Sequence, residues 1–151
     1  MEKELKMLLD KNEIMEVMAR YARGADTKNW DMLRATFDDN ISVSYLGFDP
    51  ETVMECSADD FVANGSIPVL GKLRASQHVF TNFDISVDGD SALGYMYCRA
   101  QHYRPEFARG DSTYEVGGIY CINFVRREDG WKIKKLEANF TWSTGNTGIT
   151  I

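Results

Sequence analysis

A chain of 151 residues is long enough for one domain with a single sizeable core. The net charge is -6 and the 17 Lys and Arg residues form no basic stripe, so neither nucleic acid nor an anionic membrane surface is an expected partner. The sequence shows no signal peptide and no apolar run of about 18 residues, and we expect a soluble, cytoplasmic protein.

Two helices are predicted at the start of the chain. Apolar residues recur through residues 2–23 at the spacing of one helix face. Gly24 can end this helix, and a second helix is predicted to follow as far as Phe37.

Asp26 lies at the joint between these helices. It continues the row of inward positions Ile14, Met18 and Ala22, so its carboxylate should point into the protein. An ionised carboxylate in that position needs a partner. The alternative is a capping role, because Asp26, Thr27 and Asn29 could each cap the second helix.

Strands dominate the rest of the chain. Residues 41–45 alternate as a half-buried strand that ends in Tyr45, and a short third helix is expected from Ser57. The later alternating segments are 74–87, 91–104, 113–127 and 131–142, with hairpin turns at 88–90 and 128–130.

This order predicts an α+β fold in which the N-terminal helices pack in the concave face of a curved, mainly antiparallel sheet. We expect one cone-shaped domain over residues 1–142, with a cavity at its open end. Residues 143–151 show no periodicity and are expected to form a tail that can be flexible.

The two histidines lie in the first two long strands. His102 shares a strand face with Met96, Cys98 and Ala100, and this small, apolar face is expected to be the concave one. The face that carries His78 has both polar and apolar residues, so it does not indicate which way His78 points. Either histidine alone is more simply a core residue bonded to the backbone. Together with Asp26 and Tyr45 they provide the groups for general acid–base catalysis, in which a carboxylate orients an imidazole that moves a proton.

The three cysteines, Cys56, Cys98 and Cys121, have no CxxC spacing and favour neither a disulfide framework nor a zinc site. Cys98 is the one nucleophile candidate. The sequence also has no glycine-rich phosphate loop, so we expect no metal and no cofactor.

Seven short segments between about residue 21 and residue 142 match a known family in order and spacing. They are 25–34, 42–45, 58–62, 73–80, 94–95, 100–103 and 129–132. On these segments the chain resembles the scytalone dehydratases, within the nuclear transport factor 2-like or SnoaL-like superfamily of cone-shaped α+β domains.

The resemblance implies elimination of water from a cyclic hydroxy-ketone without metal or cofactor. It places Asp26 and His102 as a hydrogen-bonded pair, His78 as a second histidine and Tyr45 as one of two tyrosines at the substrate carbonyl. The second tyrosine falls on Ala25, and polar pocket positions fall on apolar or small residues here. The expected substrate-binding residues are Ala25, Cys98, Ile119, Cys121 and Phe140.

The first hypothesis is therefore a dehydratase-like lyase acting on a cyclic, largely apolar small molecule with an activating carbonyl. The same groups would serve an isomerase, a cyclase or a dehydrochlorinase. A hypothesis of another class is a non-catalytic ligand-binding or oligomerisation module, in which the cavity is filled or Asp26 and His102 do not meet. If the pair forms, its atoms should lie about 3 Å apart.

A homo-oligomer is also expected. Tyr95, Tyr97 and Tyr103 share the outer face of the predicted sheet and would form the interface of a trimer or dimer. The resemblance favours a trimer.

Overall fold

The computed structural model describes residues 1–46, 53–107 and 109–151. The first elements are helices α1 (Glu2–Thr27) and α2 (Trp30–Arg34), followed by strands β1 (Phe37–Leu46) and β2 (Val53–Ser57). A helical segment then comprises α3 (Ala58–Asp60), a π-helix (Phe61–Ser66) and α4 (Ile67–Leu70). The remaining elements are β3 (Ala75–Asp88), β4 (Ser91–Tyr103), β5 (Thr113–Arg127), β6 (Gly130–Gly145) and a 3-10 turn (Thr147–Thr150).

One six-stranded sheet has the order β2-β1-β6-β5-β4-β3. All neighbours are antiparallel except β1 and β6, which are parallel. The predicted α+β class and mainly antiparallel sheet are confirmed. Strand β2 was not predicted, because its five residues are exposed or half-buried and show no alternation of burial.

Helix α1 packs its apolar face into the concave side of this sheet. Ile14, Val17 and Met18 are buried in one core with residues from the inner faces of the strands. The helix does not end at Gly24 as predicted, but continues to Thr27, after which Lys28 adopts a left-handed conformation with φ of 57°.

Gly24 has another role. A Cβ atom there would lie 2.7 Å from the Leu33 backbone nitrogen, so the glycine permits the close approach of α2 to α1. The second helix ends at Arg34 rather than Phe37, and Asn29 caps it by accepting a hydrogen bond from the Met32 amide at 3.0 Å. The cap of α2 is therefore Asn29, which leaves the Asp26 carboxylate available for other contacts.

The C-terminal residues lie against the sheet. Strand β6 continues to Gly145, and the following turn buries Ile149 completely. The Asn146 side chain donates hydrogen bonds to the carbonyl oxygens of Arg109 and Asp111, at 2.6 and 3.0 Å, which ties this end to the β4–β5 connection. None of the helices in the described part of the chain has the length and apolar character that a bilayer-spanning segment requires.

Candidate active site

A cavity of about 380 Å³ lies between α1, the helical segment 61–70 and the inner face of the sheet. Most of its wall is aromatic or aliphatic. The apolar lining includes Leu33, Phe61, Val69, Leu70, Val116 and Phe140. Two imidazoles, those of His78 and His102, also line it, whereas no Lys, Arg, Asp or Glu of the described residues does. The cavity therefore suits an uncharged, largely apolar ligand.

The Asp26 carboxylate sits behind this wall and contacts strand β3. The Nδ1 atom of His78 lies 2.7 Å from one carboxylate oxygen, and the Ser76 hydroxyl donates to the same oxygen at 2.8 Å. The other oxygen accepts a hydrogen bond from the His78 backbone amide at 2.9 Å. Burial alone would raise the pKa of Asp26, but the hydrogen bonds and charge of His78 bring it below its usual value. The carboxylate is thus held ionised beside His78.

The predicted pairing of Asp26 with His102 is wrong. Both histidines face the concave side, because His78 is opposite Ala100 and His102 is opposite Ser76 in the β3–β4 register. Strand β3 is one of the two edge strands, and its contacts with α1 bring it next to Asp26. An edge strand also has backbone amides without a strand partner, and the Asp26 carboxylate accepts a hydrogen bond from the one of His78.

His102 is held by the neighbouring strand instead. Its Nδ1 atom lies 3.3 Å from the Tyr114 carbonyl oxygen, and its ring stacks on the Tyr114 ring with centroids 5.7 Å apart. Because a carbonyl only accepts, Nδ1 carries the hydrogen and Nε2 keeps a lone pair. Burial, and then the charge of His78, lower the pKa of His102 to about 4, so the imidazole is neutral near pH 7.

The two imidazoles are close neighbours. Their ring centroids lie 5.8 Å apart and their planes are perpendicular. In the neutral ring of His78 the Nδ1–H is directed at the carboxylate, and Nε2 then keeps a lone pair. The site thus brings together two imidazole acceptors, only one of which is backed by a carboxylate.

Three other predicted residues lie at the cavity: Tyr45, Ala25 and Phe140. The Tyr45 ring is stacked parallel to the Phe140 ring, with centroids 6.3 Å apart. Burial raises the pKa of Tyr45 to about 12, so its hydroxyl stays protonated and can donate a hydrogen bond.

Ile119 and Cys121 were wrongly predicted to line the pocket. In the β4–β5 register they pair with Tyr97 and Tyr95, whose side chains are exposed on the outer face. Cys98 faces inward but is not among the residues that line the cavity. Burial raises the pKa of its thiol to about 12, which removes it as a nucleophile.

Several cavity residues were missed by sequence reasoning. Tyr114, Val116 and Tyr120 of β5 line the cavity because they pair with the inward residues of β4. Their alternation with Glu115, Ile119 and Cys121 was a usable signal. Tyr21 lies within the predicted first helix but was not identified as a cavity residue. A short helix was expected from Ser57, but its continuation as the π-helix that supplies Phe61 and Ser66 was not.

In the described ranges of the chain, no group of three or more His, Cys, Asp or Glu residues has an arrangement that could hold a metal ion. The chemistry that this arrangement offers is proton transfer by an imidazole that a carboxylate orients.

Comparisons with known proteins agree with this architecture. The model of the SnoaL-like domain matches residues 6–137. A scytalone dehydratase-like protein, mdpB, from Emericella nidulans is 26% identical over 136 residues, which cover 85% of this chain and 64% of that protein.

Solved structures are similar over nearly the whole chain. The Kfla4162 protein from Kribbella flavida has a TM-score of 0.87 and 25% identity, covering 95% of this chain and 98% of the other. The hexachlorocyclohexane dehydrochlorinase LinA-type3 from Novosphingobium barchaimii LL02 has a TM-score of 0.74 and 20% identity, covering 98% and 97%. The latter shows similarity of fold alone.

Proposed function

The chain belongs to the SnoaL-like domain family, and within it we propose a dehydratase-type lyase that acts by general acid–base catalysis on a cyclic, largely apolar substrate with an activating carbonyl. The observation that carries the proposal is the contact of Asp26 with His78 at the wall of an apolar cavity. A half-buried carboxylate bound to an imidazole that lines a ligand-sized space is suited to removing a proton from carbon.

His78 is the proposed base. Asp26 accepts the Nδ1–H, which fixes the tautomer and stabilises the imidazolium that forms when Nε2 takes a proton from the carbon next to the carbonyl. The electrons of that C–H bond form the enolate, which then expels a hydroxyl group from the adjacent carbon. The imidazolium returns its proton to the departing hydroxyl, so one water leaves and His78 is regenerated.

Tyr45 and His102 have supporting roles. The Tyr45 hydroxyl donates to the carbonyl oxygen as negative charge develops there. His102 is neutral, and its free Nε2 accepts a hydrogen bond from a substrate hydroxyl. His78 is assigned as the base because it, and not His102, contacts the carboxylate.

Elimination of chloride is the second candidate. A halide leaves without needing a proton, so the Asp26–His78 pair could perform that reaction as base alone. Similarity of fold to a dehydrochlorinase supports this candidate. A parallel assay of cyclic β-hydroxy ketones and chlorinated cyclohexanes, with product detection by mass spectrometry, separates the two reactions.

A set of dyad variants tests the proposal once a turned-over compound is found. Asp26→Asn and His78→Ala should each lower kcat by roughly 10²- to 10⁴-fold, the usual contribution of general acid–base catalysis. The double variant should lose much less than the product of the two factors, because the two residues act as one unit. Losses that multiply, in variants with unchanged thermal unfolding, would contradict the dyad.

We also propose that the chain forms a homo-oligomer through the outer face of the sheet. Val79, Tyr95, Tyr97 and Trp142 are each between 41% and 53% exposed on that side. Apolar side chains grouped in this way are typical of a protein interface.

A further inference from the structure

Tyr21 projects from α1 into the cavity, one helical turn before Ala25. Its ring is fixed by perpendicular contacts, with centroid distances of 5.8 Å to Phe37, 5.8 Å to Phe80 and 6.5 Å to His78. The phenol is therefore locked in place beside the proposed base.

The hydroxyl of Tyr21 has no hydrogen-bond partner among the described residues. It is not a sealed polar atom either, because the side chain lines the cavity and the only fully buried unpartnered oxygen in the described ranges is that of Tyr114. The Tyr45 hydroxyl is in the same situation. Two phenol groups thus face the ligand space with free donors.

Both phenols remain protonated. Burial, followed by the proximity of Tyr45, Cys98 and Asp26, raises the pKa of Tyr21 well above its usual range. Tyr21 and Tyr45 line the same cavity, so one ligand there can contact both side chains. Neither can become an anion near neutral pH, so each can act only as a neutral donor to a ligand oxygen.

From this geometry we infer that Tyr21 is a further catalytic residue, whose hydroxyl donates together with that of Tyr45 to the one substrate oxygen that becomes negative. The inference rests on the proposed function, because His78 must create the enolate that this oxygen carries. The resemblance implies a second tyrosine donor at position 25, where this chain has alanine. Tyr21 supplies a donor from the preceding turn of the same helix.

The composition of the cavity favours hydrogen-bond donors over charged groups as the means of stabilising an anion. No cationic side chain of the described residues lines it, so an enolate oxygen there is stabilised by hydrogen bonds and not by an ion pair. Donors fixed in an apolar, water-poor space stabilise a developing anion strongly. The site would therefore take neutral ketones, and would favour phenolates and enolates over phosphates, whose second negative charge it cannot match.

Binding of para-nitrophenol tests the inference without a known substrate. Its phenolate is a planar cyclic anion with the charge on oxygen, and its visible absorption band distinguishes it from the neutral phenol. We expect the wild-type protein to bind the phenolate in preference to the phenol. Tyr21→Phe and Tyr45→Phe should each weaken phenolate binding by about tenfold or more, the usual cost of losing a hydrogen bond to a charged group.

Tyr103→Phe is the matched control, because Tyr103 is exposed on the outer face, and it should leave the affinity unchanged. An unchanged affinity in Tyr21→Phe, or a wild-type protein that shows no preference for the phenolate, would overturn the inference. The proposed function is judged separately, by the turnover of Asp26→Asn and His78→Ala. Loss of turnover in those variants with no effect of Tyr21→Phe on phenolate binding would reject the role of Tyr21 alone.

Discussion

Both oxygens of the Asp26 carboxylate are occupied, one by the His78 amide and the other by the His78 ring and the Ser76 hydroxyl. The backbone bond joins the end of α1 to β3, while the ring bond orients the base. One residue therefore performs a structural and a chemical task. A change that keeps the amide contact but removes the charge, such as Asp26→Asn, separates these two tasks.

The lowered pKa of His102 predicts that the unfolding free energy depends on pH. Its pKa is lowered to about 4, whereas an unfolded histidine titrates near 6.5, so the unfolded state binds more protons between these values. The contribution of neutral His102 is complete above about pH 6.5 and is lost as the pH falls towards 4. Relative to His102→Gln, the wild-type unfolding free energy should fall by up to about 1.4 kcal/mol per pH unit in this window.

Denaturant unfolding at a series of pH values measures this difference. Parallel pH profiles for the wild-type protein and His102→Gln would show that His102 titrates alike in the folded and unfolded states.

Residue types and faces could be predicted for much of the site. Helical spacing correctly directed Asp26 inward, and strand parity correctly placed His102 on the concave face. The partner of Asp26 could not be predicted in this way, since parity fixes the face of a side chain but not its distance from a helix. That distance depends on β3 being an edge strand, which is a property of the sheet order.

At the scale of elements, Asp10 fastens α1 to the β5–β6 hairpin. Its side chain is buried and accepts hydrogen bonds from Arg126 Nη1 at 2.8 Å, Lys6 Nζ at 2.8 Å and Trp131 Nε1 at 3.4 Å. The Arg126 guanidinium also lies 4.3 Å from the centre of the Trp131 ring. The hydrogen bond from Arg126 is the main cause that holds the pKa of Asp10 far below its usual range.

Asp10→Asn should lower the unfolding free energy by about 1–3 kcal/mol, because its donors lose a buried, charged acceptor. Asp90 provides a matched control, since it contacts the same Arg126 at 3.1 Å but its side chain is 83% exposed. Asp90→Asn should cost less than about 1 kcal/mol. Equal losses in the two variants, measured by denaturant unfolding, would contradict this account of α1.

The contact of Asp10 with Arg126 also makes the unfolding free energy depend on pH. Because the folded pKa of Asp10 is depressed, its contribution is present above the unfolded value of about 4 and is lost as the pH falls below it. The stability advantage of the wild-type protein over Asp10→Asn should therefore shrink on acidification below about pH 4.

The joint between α1 and α2 shows where local signals mislead. Glycine is a common helix terminator, and Gly24 was interpreted as one. In the fold it is a contact point, because Leu33 of α2 lies against its Cα and leaves no room for a side chain. Two residues of the extended helix, Ala25 and Asp26, owe their place at the site to this continuation.

At the scale of the whole molecule, the order of helical and alternating segments was sufficient to predict the α+β class. The oligomeric state is the property of the whole molecule that we propose to measure. Sedimentation equilibrium should give a dimer or trimer, and Tyr97→Glu should give a monomer because it places a charge within the apolar outer face. Leu8→Glu, at an equally exposed apolar position on α1, should keep the wild-type mass. A monomeric wild-type protein would contradict the proposed interface.

The central claim is that Asp26 orients His78 and not His102. Heteronuclear NMR of protein labelled at its histidine nitrogens tests it directly, because the chain has only two histidines. We predict that both rings carry the hydrogen on Nδ1, and that the His78 Nδ1 proton is shifted far downfield by the carboxylate. Asp26→Asn should abolish that shift while leaving the His102 signals in place. A variant that moves the His102 signals and leaves those of His78 unchanged would contradict the dyad.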